Sequence, residues 1–413
     1  MIPIPFDQAL TDPAIYQDVL IKLSKKDLPR SRRNRPVKPL LSNPDRLVEG
    51  ILAWVGSGNP KFSVQDRIEL LTGEKVRVLY TSPWPDRIVQ MAMQTLLAGA
   101  LEGAYSSRLY SFRKGLGTQH AHRAFREYLQ NQGGAVHVAK RDITAFGDSI
   151  VQSILWQKIE AVMDPGANPV FASLLKQAIS PFYREGDQEP VQLLQGIPSG
   201  SPLTPVLENL YLMEIDAWMD AACESDPRFF YARFGDDIVL AHPEQSVFLK
   251  QSADLDQRVG QLGLRYSEKK KIDAHLGART RYLEWLGATF HAKGLISSRP
   301  KHFRSLYESF LREFEGFIAE QAELDRDWDR TLPRLKTGIA QFLDPRLNAG
   351  LDRITLNRSE PALTKQLDEN IRRYLVRWID RHYGGGKSLA WRRIRQLKIP
   401  SVNRIRRMRW RLS

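Results

Sequence analysis

A single cysteine, Cys223, in a chain of 413 residues excludes an intrachain disulfide and any zinc site built from several cysteines. No apolar run approaches the roughly twenty residues that a membrane span needs. The opening Met1-Ile2-Pro3-Ile4-Pro5 lacks the basic and apolar regions of a signal peptide. A cytoplasmic protein without membrane contact is therefore expected. There is no low-complexity tract and no clear internal repeat. Acidic residues are the minority: 47 Asp and Glu stand against 61 Lys and Arg, a formal net charge of +14. An excess of that size points to a polyanionic partner, nucleic acid first and anionic membrane second. Hydrophobic content is ordinary at 42%, and the length suits a large core divided among two or three domains.

The chain is organised around Phe229-Phe230-Tyr231-Ala232-Arg233-Phe234-Gly235-Asp236-Asp237-Ile238-Val239-Leu240. Two β-prone runs flank a Gly-Asp-Asp corner, the pattern of a tight hairpin with two carboxylates at its tip. Gly and Asp also serve turn geometry alone, so the corner gains meaning only from what surrounds it. Residues 1 to 45 read as a basic, proline-punctuated arm with Lys22, Lys25, Lys26, Arg30, Arg32, Arg33, Arg35 and Lys38, either solvated or touching phosphate. Val64 to Leu71 reads as a short helix capped by Ser63. Lys75 to Tyr80 reads as a strand with Lys75 and Arg77 on one face. Asp86 is placed to cap a helix continued by Met91, Ala92, Leu96 and Leu97. After the polar turn Tyr110–Gly115, Thr118 starts a helix through Leu129, on which His120 and His122 face different ways and so do not share a metal.

A strand from Ala135 runs into Asp142, ahead of a helix marked by Ile150, Ile154, Leu155 and Ile159. A carboxylate at the carboxyl end of a strand suits metal ligation, and it equally suits a helix cap. Gln195 to Pro205 holds two glycines and three prolines, which allow close backbone approach to a ligand or simply make a rigid loop. A long helix with Leu207, Leu210, Tyr211, Ile215 and Trp218 follows. Beyond residue 295, Phe303, Leu306, Phe310, Phe314 and Phe317 form one helical stripe, and Leu363, Leu367, Ile371, Tyr374 and Trp378 a second. After Gly384-Gly385-Gly386 comes a basic tail with Arg392, Arg393, Arg395, Lys398, Arg404, Arg406, Arg407, Arg409 and Arg411, interleaved with Trp391 and Trp410. Cations with aromatics suit RNA, where phosphate attraction and stacking combine.

In this order and spacing the segments resemble the blocks of prokaryotic reverse transcriptases, the group II intron-like and defence-associated enzymes. Lys75, Arg77 and Asp86-Arg87-Ile88-Val89-Gln90 resemble the fingers blocks, and Tyr110-Ser111-Phe112-Arg113-Lys114-Gly115 the "SYGFR" block. Asp142 with Phe146 resembles the first palm block, and Gly196 to Pro205 the helix-turn block G-x-P-Q-G-S-x-x-S-P. Phe234-Gly235-Asp236-Asp237 stands where the family has Y-x-D-D, Lys270 in the later lysine block, and Trp285-Leu286-Gly287 in the hairpin that grips the primer. The ordered set covers roughly residues 75 to 290. Three positions depart from the pattern: Ser199 stands for the usual Gln, Phe234 for the usual Tyr, and Gly147 where some related enzymes carry a bulky aromatic against a 2′-hydroxyl.

The resemblance implies an α+β right-hand polymerase: fingers and palm over residues 46–295, a helical thumb over 296–345, and a helical, basic extension over 346–413. It implies RNA-directed DNA polymerase activity on two Mg²⁺ ions, Mn²⁺ being the substitute. Asp142, Asp236, Asp237 and the Ile143 carbonyl would be ligands, since paired divalent ions about 3.5–4 Å apart serve in-line displacement at phosphorus. Lys75, Arg77, Phe146, Gly147, Ser199, Gly200 and Lys270 are the implied nucleotide contacts, and the tail arginines from Arg392 to Arg409 the RNA contacts. Implied partners are an RNA template, deoxynucleoside triphosphates, the DNA product, and an accessory protein or a second copy of the chain. The first expectation is an antiphage defence enzyme working with a dedicated noncoding RNA. Alternatives are diversity-generating enzymes (which often carry Ser-Gln where this chain has Thr204-Pro205), retron or intron-derived enzymes, and an RNA-binding maturase-like protein with an idle site. No nuclease or maturase-associated segment is expected after the thumb.

Overall fold

The computed structural model describes residues 5–25, 42–72, 75–277, 282–292, 296–297, 300–321, 327–356 and 361–411. It is a mixed α+β chain of two compact units: Met1–Gly117 with Ala139–Ile272, and Thr118–Val138 with Asp273–Ser413. The strands are β1 Gln65–Thr72, β2 Lys75–Thr81, β3 Val136–Asp142, β4 Phe182–Arg184, β5 Val191–Gln192 and β6 Phe230–Phe234. They continue with β7 Asp237–His242, β8 Ile272–Leu276, β9 Tyr282–Trp285, β10 Ala288–His291 and β11 Ile296–Ser297. No helix among the described residues is long and apolar enough to cross a membrane.

In the first unit, β6, β7 and β3 lie side by side in one sheet. Their residues are almost continuously buried, as befits strands covered on both faces. Helices Met213–Ser225 and Gln245–Gln261 pack against β6 and β7. A second sheet has the order β2-β1-β4-β5. Here the structure corrects the helix expected over Val64–Leu71: Asp66 to Thr72 pairs residue by residue, antiparallel, with Thr81 to Lys75. Leu71 and Val76 face solvent, so no apolar helical face exists to bury; the partner strand decides. Two other local expectations shift. The helix Trp84–Leu101 starts before Asp86, whose Oδ2 instead accepts the Ser63 N–H at 2.7 Å. The long helix after the glycine-rich loop divides into Thr204–Tyr211 and Met213–Ser225 at Leu212.

The start of the chain is folded, which the reading of residues 1–45 as an arm does not anticipate. Helices Phe6–Leu10 and Pro13–Lys25 bury Phe6, Leu10, Tyr16, Val19, Leu20 and Leu23 in the unit's core. The Asp7 carboxylate accepts the N–H groups of Val170 and Phe171 at 3.0 and 2.7 Å, an anion satisfying the open end of helix Pro169–Ile179. The basic residues from Lys26 to Lys38 lie outside the described residues. Cys223 is buried in this core.

In the second unit, β9, β10 and β11 form a small antiparallel sheet. Trp285 and Phe290 from it pack on Phe125 of helix Thr118–Gln132, ring centroids 6.0 and 4.9 Å apart. A separate helical core joins Phe310, Phe314, Leu335, Ile339, Leu367, Ile371 and Leu375. The basic tail belongs to it: helices Gly386–Leu397 and Val402–Arg411 bury Ala390, Ile394, Leu397 and Val402. Asp368 caps the last of these through the N–H groups of Val402 and Asn403. Side chains of Phe303, Leu306 and Leu363 lie outside the described residues.

Candidate active site

Phe234 and Asp237 close the β6–β7 hairpin around the two-residue turn Gly235-Asp236. Gly235 has φ +65°, a left-handed backbone that glycine adopts without penalty. A buried polar network braces the turn from beneath. Arg233 is fully buried and bonds Asp216 through Nε at 2.8 Å and Nη2 at 2.5 Å. Its Nη1 donates to the Gly235 carbonyl and to Asn209 Oδ1, both at 3.2 Å. Ser111 Oγ accepts the Gly235 N–H at 2.8 Å, and Tyr231 Oη donates to Asp216 at 2.7 Å. The Gly-Asp-Asp corner and the Tyr110–Gly115 block are therefore one construction, which explains why Ser111 accompanies the corner. A buried charge left without its partner is expensive, so the network holds all its members in place together. Arg233, Asp216 and Asn209 were not singled out from the sequence; a charged residue inside a strand of buried apolar residues was the available signal.

Asp142 ends β3, beside β7, and the Ile143 N–H donates to the Asp236 carbonyl at 3.3 Å. The structure thus brings Asp142, Ile143, Asp236 and Asp237 to one corner of the sheet. Two amines attend them. Lys270 Nζ lies 2.6 and 2.7 Å from the two oxygens of Asp142, and Lys140 Nζ lies 3.3 Å from Asp237 Oδ1. Lys140, on β3, is a further residue not singled out from the sequence. Burial, then repulsion from Asp142 and Asp237, raises the Asp236 carboxyl above the ordinary range. Burial does the same for Asp237, with Lys140 opposing it and Asp142 adding to it. The hydrogen bond to Asp142 raises the Lys270 amine. The corner therefore concentrates negative charge in a poorly solvated place, where a cation relieves it.

These residues fit a hard divalent ion. Their donors are carboxylate oxygens, which Mg²⁺ prefers, and the buried Asp237 Oδ1 is met by the Lys140 ammonium at 3.3 Å. Among the described residues no three His, Cys, Asp or Glu side chains are grouped so that they alone could hold a metal ion. Mg²⁺ held by one or two carboxylates together with substrate phosphates needs no such group.

The loop Gly196–Ser201 is fastened beside this corner from two directions. The Ile197 N–H bonds the Gly147 carbonyl at 2.9 Å, and the Gly196 N–H bonds the Ile150 carbonyl at 3.0 Å. Gly196 has φ +74°, and a Cβ there would stand 2.7–2.8 Å from the backbone of Gly147 and Asp148, so no other residue fits. On the far side, the Tyr80 N–H bonds the Ser199 carbonyl at 2.8 Å, Arg87 bonds the Gly200 carbonyl at 2.9 Å, and Ser201 bonds Gln90 at 3.1 Å. The run Asp86–Gln90 is thus the anchor of the loop. Strand alternation puts Arg77 on the face of Leu79, whose side chain touches Gly200; Arg77 itself is exposed. The Lys75 side chain lies outside the described residues. Phe146 is buried in the core, its ring 6.4 Å from that of Tyr211.

Glu208, on helix Thr204–Tyr211, was not expected at the site. Burial, reinforced by the nearby Asp236, pushes its carboxyl up to about 7, while Arg233 pulls it down. The remaining sequence candidates lie in the second unit. Trp285 is buried, and Leu286 and Gly287, at φ +49° and +78°, make the β9–β10 turn. Arg392, Arg395, Arg404 and Arg407 are exposed. Arg393 lies over the rings of Trp328 and Tyr383 at 5.3 and 5.5 Å, and Arg406 Nε is buried. The Arg409 side chain lies outside the described residues.

Comparison with known proteins accords with this geometry. The family profile described as "Reverse transcriptase (RNA-dependent DNA polymerase)" matches residues 71–290. The chain is 26% identical over 153 residues to the "Uncharacterized 91 kDa protein in cob intron" of Schizosaccharomyces pombe, a match covering 37% of this chain and 18% of that protein. Apo telomerase from Candida Tropicalis superposes with a TM-score of 0.50 at 12% identity, covering 83% of this chain and 62% of that one. Telomerase from Candida albicans in complex with a TWJ fragment of telomeric RNA gives 0.49 at 10% identity, covering 87% and 64%. The chain thus spans less than two thirds of the length of each of these relatives, and the likeness to telomerase concerns the fold alone. Since the matched residues 71–290 make up more than half of the chain, it belongs to the reverse transcriptase family and contains the catalytic domain of an RNA-directed DNA polymerase.

Proposed function

We propose that this chain extends a primer along an RNA template, with Asp142, Asp236 and Asp237 as the catalytic centre. The observation that carries the reading is the corner where three carboxylates meet under two lysines, on a turn braced by the Arg233 network. Asp142, Asp236, Asp237 and the Ile143 carbonyl would hold Mg²⁺. When bound, paired ions polarise the attacking hydroxyl and neutralise the leaving pyrophosphate. Lys270 neutralises Asp142 before substrate arrives and lies where it can meet phosphate charge. The braced loop Gly196–Ser201 and the exposed Arg77 serve the incoming nucleotide. In this reading the first unit supplies fingers and palm, and the helical core of the second supplies the thumb and its basic extension.

The comparisons favour the intron-derived alternative over a defence enzyme with a dedicated noncoding RNA, because the curated relative is described as a protein in an intron. We take the RNA partner to be structured RNA of that kind, met by the exposed Arg392, Arg395, Arg404 and Arg407. The test is primer extension on an RNA template with Mg²⁺, using wild type and Asp236→Ala with Asp237→Ala. Wild-type extension lost in the variant, with RNA binding retained, is the expected result. A wild type that binds RNA and extends nothing would leave the idle, maturase-like reading in its place.

A further inference from the structure

A cavity of about 650 Å³ opens on the first unit, away from any residue assigned above. Part of its wall is the second sheet. Phe182 of β4 pairs with Gln192 of β5, and the next residue, Tyr183, pairs with Gln65 of β1, so Gln192 and Val64 flank Phe182 in one row facing the cavity. Trp156, on helix Gln152–Val162, and Lys176, on helix Pro169–Ile179, line it too, with Lys61 from the segment ahead of β1. Its size suits a small molecule or one residue of a larger one. The surroundings are pinned: Gln177 accepts the Phe62 N–H at 2.9 Å and donates to the Pro60 carbonyl at 3.1 Å. Gln152, another lining residue, donates to the carbonyls of Leu193 and Gly196 at 3.0 and 2.9 Å. The amide that borders the cavity thus also fastens the loop beside the carboxylate corner.

The chemistry of the lining defines its complement. Phe182 is 53% exposed, a large apolar ring left open to water. Lys61 and Lys176 are exposed as well, and no Asp or Glu is among the described residues that line the cavity. Lys176 Nζ stands 4.5 Å from the centre of the Trp156 ring, a cation–π contact that holds the ammonium in position. The Trp156 N–H is committed to Glu160 at 2.6 Å, which fixes the ring in turn. A ring to stack on, two cations and no opposing acid call for a planar group with anions attached. An apolar peptide would leave both lysines unmatched. A nucleotide inside an RNA strand brings a base and a phosphate on either side, and only an unpaired base can leave its own stack for a protein ring.

We infer that this cavity is a site for an unpaired nucleotide of RNA, its base stacked on Phe182 and its flanking phosphates met by Lys61 and Lys176. It gives the first unit a hold on RNA of its own, made of other residues than the exposed arginines of the last helices. Stacking and charge are tolerant of base identity, so the site selects for single-strandedness and not for sequence.

The experiment measures binding of a labelled single-stranded oligoadenylate by fluorescence anisotropy across a salt series. It compares wild type with Phe182→Ala, Phe182→Tyr, and Lys61→Gln combined with Lys176→Gln. An oligouridylate carrying 5-iodouracil, photocrosslinked and mapped by peptide, reports which ring meets the base. Phe182→Ala should weaken binding about tenfold, the scale of one lost base stack, with the slope of log affinity against log salt unchanged, and Phe182→Tyr should bind as wild type does. The lysine pair should make that slope shallower by about 1.4, at roughly 0.7 per phosphate contact, and the crosslink should fall on Phe182. An affinity unmoved by Phe182→Ala overturns the inference, as do crosslinks confined to the last helices or a wild type that does not bind the oligonucleotide. Adenosine monophosphate bound as tightly as the oligonucleotide overturns the assignment to RNA in favour of a free nucleotide. Should Phe182→Ala fail to fold, the lysine pair decides, a shallower slope supporting the site and an unmoved slope overturning it. None of these readouts needs nucleotide incorporation, so a wild type that extends no primer overturns the polymerase reading and leaves this one to its own data.

Discussion

Two hairpins in this molecule turn on the same backbone device and are held by opposite means. The β6–β7 turn stands on a buried ionic network, Arg233 with Asp216, Asn209, Ser111 and Tyr231. The β9–β10 turn stands on rings, Trp285 and Phe290 against Phe125 and His122. Ring packing tolerates small displacements, because dispersion and apolar burial are weakly directional. Hydrogen bonds and ion pairs out of water are directional and costly to leave incomplete. A turn that must present carboxylates within a fraction of an ångström gains from the second kind of support. The units differ likewise in where they keep their charge: the first buries it at the corner, and the second carries it on the exposed faces of its last helices.

The largest expected effect tests whether the first hairpin exists for chemistry. Asp236→Ala with Asp237→Ala should abolish primer extension while leaving the folded state at least as stable, since both carboxyls are raised by burial and repulsion. A large loss of stability in that variant would make the corner structural. Next, Arg233→Leu leaves Asp216 buried and unpaired, which should cost about 3–5 kcal/mol in urea unfolding and end activity together. Adding Asp216→Leu should restore much of the stability and none of the activity. Equal recovery of both would erase the distinction drawn here. Trp285→Ala should also cost about 3–5 kcal/mol, as large aromatic truncations do. Hydrogen exchange should place that loss in Thr118–Gln132 and not in β6 and β7; protection lost in both places would count against separate supports.

Much of this was legible in the sequence because it depends on order and local pattern. The Gly-Asp-Asp hairpin and the strand into Asp142 form as their local pattern indicates, and Lys270 bonds Asp142. What escaped depends on partners far away in the chain. Val64–Leu71 reads as a short helix capped by Ser63, and only pairing with β2 makes Gln65–Thr72 a strand. Phe6, Leu10, Tyr16, Val19, Leu20 and Leu23 carry helical spacing, yet the run of cations after them drew the eye to charge. Glu208 is an unremarkable glutamate in a helix until Gly147, Ser199 and Asp236 are brought to it.

Two smaller effects concern charge. Changing the exposed Arg392, Arg395, Arg404 and Arg407 to Gln leaves the second unit's core intact, where deleting the tail would remove Ile394, Leu397 and Val402 from it. The slope of log affinity for RNA against log salt should become shallower by up to about 3, at roughly 0.7 per phosphate contact. An unmoved slope would make the basic surface a bystander. Glu208 gives the smallest effect. Its folded carboxyl titrates near 7 and its unfolded one at about 4.3, so the folded state binds the proton more tightly. The resulting stability is present below the unfolded value and is lost as pH rises through about 7. Glu208→Gln should flatten that fall between pH 5 and 8, worth about 2 kcal/mol, in metal-free protein. A wild type equally stable across the range would contradict the placement of Glu208.

The single cysteine gives the protein a natural clock. Cys223 is 4% exposed, and burial pushes its thiol up to about 11, so both access and thiolate are withheld from alkylating reagents while the first unit stays closed. Modification then proceeds only through opening of that core, and its rate measures how often the opening occurs. No label need be engineered, and no second thiol competes. The time course of alkylation, followed with and without RNA, reads directly how far a bound partner quiets the unit that holds the carboxylate corner.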